Sequence, residues 1–131
     1  MEFNRLIPEL TVTSIQESKQ FYLKLLGFSL EYERPEEKFA FVSLGGAQFM
    51  LEEFHEDGWN VAPLSPPFGR GVNFSIEVDD VDRIYNALLE KNYPLYRSMT
   101  TRQYQVNGKT VKQKEFLVQD PDGYLLRFTE E

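Results

Sequence analysis

The chain has 131 residues, enough for one domain or for two small fused halves. It carries 14 basic and 21 acidic side chains, a net charge of −7, which argues against nucleic acid or an anionic membrane surface as partner. The absence of Cys excludes disulfides, thiolate metal sites and a cysteine nucleophile, and suits a reducing cytoplasm.

The first apolar segment, Leu6 to Val12, reads as a strand. Ser14 followed by Glu17 has the spacing of a capping box. Ile15, Ser18, Tyr22, Leu25 and Leu26 then recur at helical intervals, so residues 15–26 are predicted as one amphipathic helix, with Phe21 at the edge of its buried face. Gly27 supplies the C-cap. Phe28 to Glu33 resumes as a strand, and Pro35-Glu36-Glu37 is a turn. Phe39, Phe41 and Leu44 lead to Gly45-Gly46 and then to Phe49–Phe54, a hairpin. Residues 55–70, with Gly58, Trp59, Pro63, Pro66, Pro67 and Gly69, form a loop long enough to carry function.

The second half starts over. Val72, Phe74, Ile76 and Val78 alternate with Asn73, Ser75 and Glu77, the pattern of a half-buried strand. Asp79-Asp80 offers a helix cap, and Val81, Ile84, Tyr85 and Leu88 form one helix face. Asn92 and Pro94 end that helix. Leu95–Arg97 is predicted as a short strand. Asn107-Gly108 joins Tyr104–Val106 to Thr110-Val111 as a hairpin. Phe116 and Val118 mark the next strand, Asp120-Pro121-Asp122-Gly123 a tight turn, and Leu125–Thr129 the last strand.

The order strand–helix–strand–strand–strand thus occurs twice, with Val12 and Val78 in equivalent places. A repeat at half the chain length means a duplicated unit. The expected fold class is α+β: two tandem βαβββ modules with mixed sheets forming a cleft, within one domain of residues 1–131. Module 1 spans about 4–56, the linker loop about 57–70 and module 2 about 71–131. Met1–Arg5 shows no secretory leader, and no apolar run is long enough to cross a membrane, so a cytoplasmic location is expected.

These motifs carry a family resemblance. Leu10-Thr-Val-Thr-Ser-Ile15, Phe21-Tyr22, Leu26-Gly27-Phe28, Phe74 to Asp82 and Phe116 to Phe128 resemble the vicinal oxygen chelate superfamily: glyoxalase I, extradiol dioxygenases, and fosfomycin and bleomycin resistance proteins. Ile7-Pro8-Glu9-Leu10, Phe49 to Phe54 and Glu115-Phe116 are most like the bleomycin resistance proteins.

The resemblance implies where a metal would be held, since enzymes of the superfamily bind a divalent ion through His, Gln or Glu on their sheets. Those positions fall on Ile7, Asn73, Arg127 and one of Glu52 or Glu53. Ile cannot ligate and Arg repels a cation, so neither a metal nor any other cofactor is expected, and no catalytic residue is assigned. His55, the sole His, reads first as a solvated loop residue and second as a ligand or base.

What the resemblance then implies is a homodimer, with strand exchange between subunits left open, that sequesters an aromatic antibiotic such as bleomycin, its positive charge also left open, without chemistry. The groove candidates are Phe39, Phe41, Phe49, Glu52, Trp59, Phe68, Tyr104 and Arg127. Glu52 and Arg127 could instead pair with each other. The bleomycin resistance proteins also carry a stacking Trp just before Glu115-Phe116. Here Thr110-Val-Lys-Gln-Lys114 stands there, and its two lysines would repel a cationic drug; Tyr104 substitutes only if its hairpin turns inward. The alternatives are a glyoxalase- or dioxygenase-like enzyme with a relocated metal, and a regulatory module without a ligand.

Overall fold

The computed structural model describes residues 1–131. Eight strands and two helices follow the order expected. Module 1 holds β1 (Glu9–Val12), α1 (Ile15–Lys19), β2 (Ser29–Arg34), β3 (Phe39–Leu44) and β4 (Ala47–Glu53). Module 2 holds β5 (Asn73–Glu77), α2 (Val81–Glu90), β6 (Arg97–Val106), β7 (Lys109–Gln119) and β8 (Leu125–Glu130). Sheet A has the order β1-β4-β3-β2 and sheet B the order β5-β8-β7-β6. In each, the first and last strands of the module pair in parallel and the rest antiparallel.

Local chemistry explains the elements. The Ser14 hydroxyl accepts the Glu17 amide and starts α1. The predicted single helix over 15–26 is only half α: after Lys19 it widens into a π-helical segment, Gln20–Leu25. The wider turn lets Phe21 and Tyr22 both enter the core. Gly45-Gly46 and Asn107-Gly108 turn their hairpins with positive φ at all four residues. The expected short strand at Leu95–Arg97 is not separate. It merges with the Tyr104 strand into the ten-residue β6, which pairs along the eleven-residue β7 as one long arm. β1 starts at Glu9 rather than Leu6.

Two helix starts are held in the same way. Glu53, at the end of β4, accepts the Ile15 amide at 3.0 Å; Glu130, at the end of β8, accepts the Val81 amide at 2.9 Å. Each module thus closes its last strand onto the positive end of its own helix.

Both sheets turn one face to a shared core. Leu10, Val12, Ala40, Val42, Phe49 and Leu51 of sheet A and Ile76, Phe116, Val118, Leu126 and Phe128 of sheet B belong to one cluster with both helices. Polar links join the modules as well. The Tyr22 hydroxyl donates to Asp120 at 2.8 Å, the Tyr124 hydroxyl to the Thr11 carbonyl at 2.9 Å, and the Thr13 amide to the Asp122 carboxylate. The Asp120–Gly123 turn is therefore a joint, wedged between β1 and the loop before β5. Gly123 has φ +104, and a Cβ there would lie 2.5 Å from the Pro67 Cβ and 2.7 Å from its Cα. Gly123→Ala should destabilise the chain by about 2 kcal/mol, from the left-handed backbone and the collision, as read by chemical denaturation.

Candidate functional site

Strand alternation leaves each sheet a second face, on the far side from the shared core. On sheet A this open face carries Glu9 and Thr11 of β1, Met50 and Glu52 of β4, and Phe39 and Phe41 of β3. The register shift between Leu30 and Tyr32 in β2 adds Tyr32 and Arg34 to it. Tyr32 stacks on Phe41 at 5.2 Å and 17°. Phe3 meets Phe41 edge-on at 5.3 Å, and the Arg34 guanidinium lies 4.0 Å over the Phe39 ring. Phe39 and Phe41 are 2% and 1% exposed, so these neighbours already cover them.

A cavity of about 270 Å³ opens beside this aromatic patch. Glu9, Arg34, Glu52, His55, Asp57 and Trp59 line it. His55 Nε2 is 3.1 Å from Glu52 Oε1, so the sole histidine, though half exposed, is tied to the end of β4. Burial, then repulsion from Glu52, pushes the Glu9 carboxyl above its usual range. The end of this face is therefore carboxylate-rich and draws positive charge. Trp59 stands beside it, 94% exposed. A larger hollow of about 670 Å³, floored by Phe21 and Tyr93, lies on the helix side, away from both open faces.

The open face of sheet B carries Ser75, Glu115, Leu117, Arg127 and Thr129, with Thr100, Arg102 and Tyr104 on the arm. Tyr104 points to this face: its hydroxyl donates to Glu115 at 2.7 Å, and that bond first of all raises its pKa. Glu115 is 3% exposed. Arg127 forms none of the ion pairs of the chain, and its Nε is buried without a hydrogen-bond partner. No hydrogen bond, ion pair or aromatic contact joins the two open faces.

The superfamily's model and two of the solved structures below agree with this architecture. The model of the Glyoxalase/Bleomycin resistance protein/Dioxygenase superfamily matches residues 4–128. The chain belongs to that superfamily. It is 35% identical to a superfamily member from Vibrio splendidus 12B01, covering 94% of this chain and 95% of that one, with a TM-score of 0.43. TioX from Micromonospora sp. ML1 is 19% identical over 98% of both chains, with a TM-score of 0.72. A glyoxalase/bleomycin resistance protein/dioxygenase from Alicyclobacillus acidocaldarius is 19% identical, covering 97% of this chain and 90% of that one, with a TM-score of 0.66. No curated protein matches the chain.

The superfamily's metal positions can now be tested on the geometry. Glu53 is not available as a ligand, because it faces the helix, caps Ile15 and pairs with Lys38 at 3.0 Å. Glu52 faces the open side of sheet A. Arg127 faces the open side of sheet B, and Asn73 and Ile7 supply no carboxylate or imidazole. Nowhere do three His, Asp or Glu side chains gather as a metal cluster. Of the superfamily's positions only Glu52 offers a ligand, and although Glu9, His55 and Asp57 share its cavity they do not gather with it into a metal cluster, so the residues at those positions do not fit the superfamily's metal.

Four sequence expectations need correction. Phe49 is not on an open face; it stands on the helix side of β4, packed on Tyr22, Phe28 and Phe74. Phe68 leaves the groove set as well, since its ring meets Tyr124 edge-on at 6.0 Å against the core. Glu52 and Arg127 do not pair: they are on different sheets, and Glu52 bonds His55. Lys112 and Lys114 are not on the open face of sheet B. They alternate to the helix side of β7, where Lys114 Nζ meets Asp82 at 2.6 Å. Their expected repulsion of a cation therefore falls away. Sequence reasoning missed Phe3, Glu9, Tyr32 and Arg34; the β2 irregularity that brings Tyr32 and Arg34 to the open face leaves no mark in the residue pattern.

Proposed function

We propose that this superfamily member is a metal-free, homodimeric small-molecule binding protein of the bleomycin-resistance type. It would hold an aromatic ligand by stacking and remove it from solution by mass action, with no bond made or broken. The observation that carries the reading is the open face of sheet A, where stacked Tyr32 and Phe41 adjoin a cavity walled by Glu9, Glu52, Asp57 and exposed Trp59. Flat rings stack on such a patch, and carboxylates at its edge attract a cationic substituent. The open face of sheet A is covered only in part, by residues 2–4 and Asn60, and no element of the chain packs on that of sheet B, which is why the reading includes a second copy. An exposed Trp beside the cavity fits a residue that ligand or partner covers.

A second reading rests on the Glu52–His55 pair at 3.1 Å, a carboxylate–imidazole arrangement suited to proton transfer. It would make the chain an enzyme using its own acid–base pair.

Titration with bleomycin, with and without copper, while following Trp59 fluorescence tests the first reading. Saturable quenching at micromolar protein is expected, and a flat titration removes bleomycin as the ligand. Stoichiometric Ni, Zn, Mn or Fe in the purified protein would sink the metal-free reading.

A further inference from the structure

We infer that Arg127 is the anion-binding centre of the open face of sheet B, and that the ligand of this protein bears a carboxylate or an equivalent planar oxyanion on an aromatic body. The inference rests on the small-molecule binding reading and narrows its ligand.

The sequence places Arg127 at mid-strand in β8, flanked in register by Ser75 of β5 and Leu117 of β7. Alternation sends its side chain to the open face, at the centre of the sheet rather than its rim. A guanidinium presents five N–H donors in a rigid planar fork. Here its Nε is buried and unpartnered, one of two such side-chain atoms in the chain. Buried polar groups are ordinarily satisfied, and leaving one unpaired is destabilising. The chain does not supply the missing acceptor, although acidic residues outnumber basic ones 21 to 14. Glu115, the acid on the neighbouring strand, is turned aside to the Tyr104 hydroxyl at 2.7 Å and makes no ion pair with Arg127.

The surroundings fit an incoming oxyanion. Arg102, on the same face of the arm, also lacks an ion pair; its guanidinium lies 5.7 Å from the Tyr104 ring. Tyr104 is partly exposed and offers a flat surface beside the two cations. A carboxylate docks on a guanidinium through two parallel hydrogen bonds, which fixes the plane of the ligand; the buried Nε is satisfied once the Arg127 side chain turns outward to meet it. The superfamily's metal position on the last strand thus carries a fixed, non-ligating positive charge. That charge favours an oxygen anion from the ligand directly, with no ion between them.

Benzoate and its neutral isostere benzamide are the probes, added to the full chain while the arginine Nε–Hε resonances are followed by NMR. Benzoate should shift the Arg127 resonance saturably in the millimolar range, and benzamide should bind at least tenfold more weakly. Arg127→Gln should weaken benzoate at least tenfold. Arg127→Lys, which keeps the charge but loses the fork, should fall between and guards against a misfolded Gln variant. Equal binding of benzoate and benzamide, or benzoate affinity unchanged in both variants, overturns the inference. It is also overturned if Arg127→Gln splits a dimer, seen by light scattering, while wild type ignores benzoate; the guanidinium would then serve a carboxylate of a second copy. The Trp59 titration probes the other sheet. A flat bleomycin response with benzoate binding intact therefore counts against sequestration of that drug alone.

Discussion

Asp120→Ala should lose about 3 kcal/mol of stability at pH 5, a large share of the roughly 5–15 kcal/mol that holds a domain folded. The residue is a joint. Its Oδ1 accepts the amides of Asp122, Gly123 and Tyr124 at 2.9–3.0 Å, which fixes the turn. Its Oδ2 accepts the Tyr22 hydroxyl from the other module, and that hydroxyl is fully buried. Alanine would leave the Tyr22 hydroxyl and the Tyr124 amide without acceptors in a place water does not reach. Burial pushes the Asp120 carboxyl up to about 6, against the pull of those same donors. Its proton is thus held more tightly in the folded chain than in the unfolded one, where the value is 3.8. The stability this group contributes is fully present below 3.8 and is lost as pH rises through about 6, by about 3 kcal/mol in all. Asp120→Asn keeps an acceptor for the amides and carries no buried charge. It should stay within about 1 kcal/mol of wild type at pH 5 and exceed it at pH 8. Urea denaturation at the two pH values reads both variants; an alanine variant as stable as wild type would remove the joint from the account.

Phe49→Ala should cost about 3–5 kcal/mol, because it empties a site shared by both modules. The ring contacts Tyr22 and Phe28 of module 1 and Phe74 of β5, so the cavity opens on the seam between halves. Phe41, paired in register with Met50 one strand away, is as buried but faces the other side. Phe41→Leu, which keeps most of the buried volume, should cost about 1–1.5 kcal/mol, well below Phe49→Ala, while weakening aromatic ligands through the loss of the Tyr32 stack. Thermal and chemical melts of the two variants separate core from open face. Equal losses of stability would mean that the two faces are not distinct.

That contrast also shows where sequence reading stops. Phe39-Ala40-Phe41-Val42 and Phe49-Met50-Leu51 are apolar at every position. With no polar residue to mark the outer side, a strand's facing is set by the register of its neighbours, which the residues do not display. Phe49 stands among the groove candidates for that reason. Turn chemistry was legible because it is local: Gly45-Gly46, Asn107-Gly108 and the Ser14 cap all act as their residue types require. The misjudged lysines show the same limit. Lys112 and Lys114 looked like a cationic neighbourhood near the ligand, and only the continuity of β7 past Phe116 fixes them on the helix side. The family's metal positions were legible residue by residue, but the partnerless Nε of Arg127 appears only once β5, β7 and β8 are laid side by side.

The paired carboxylate clasps, Glu53 on Ile15 and Glu130 on Val81, bear on how the two halves could drift apart. The helix starts are 66 residues apart in sequence, while the clasps are 77 apart. Most of the difference lies inside the second module in the arm of β6 and β7, which is longer than β2 and β3. A clasp that ties the end of the last strand to the head of the helix makes each module a closed ring whose far side can grow without disturbing the seat of the helix. The arm that carries Tyr104 and Arg102 is that far side. Selection could therefore alter what one half touches while the shared interior stayed as it was, and a duplicated scaffold gained two dissimilar surfaces from one plan.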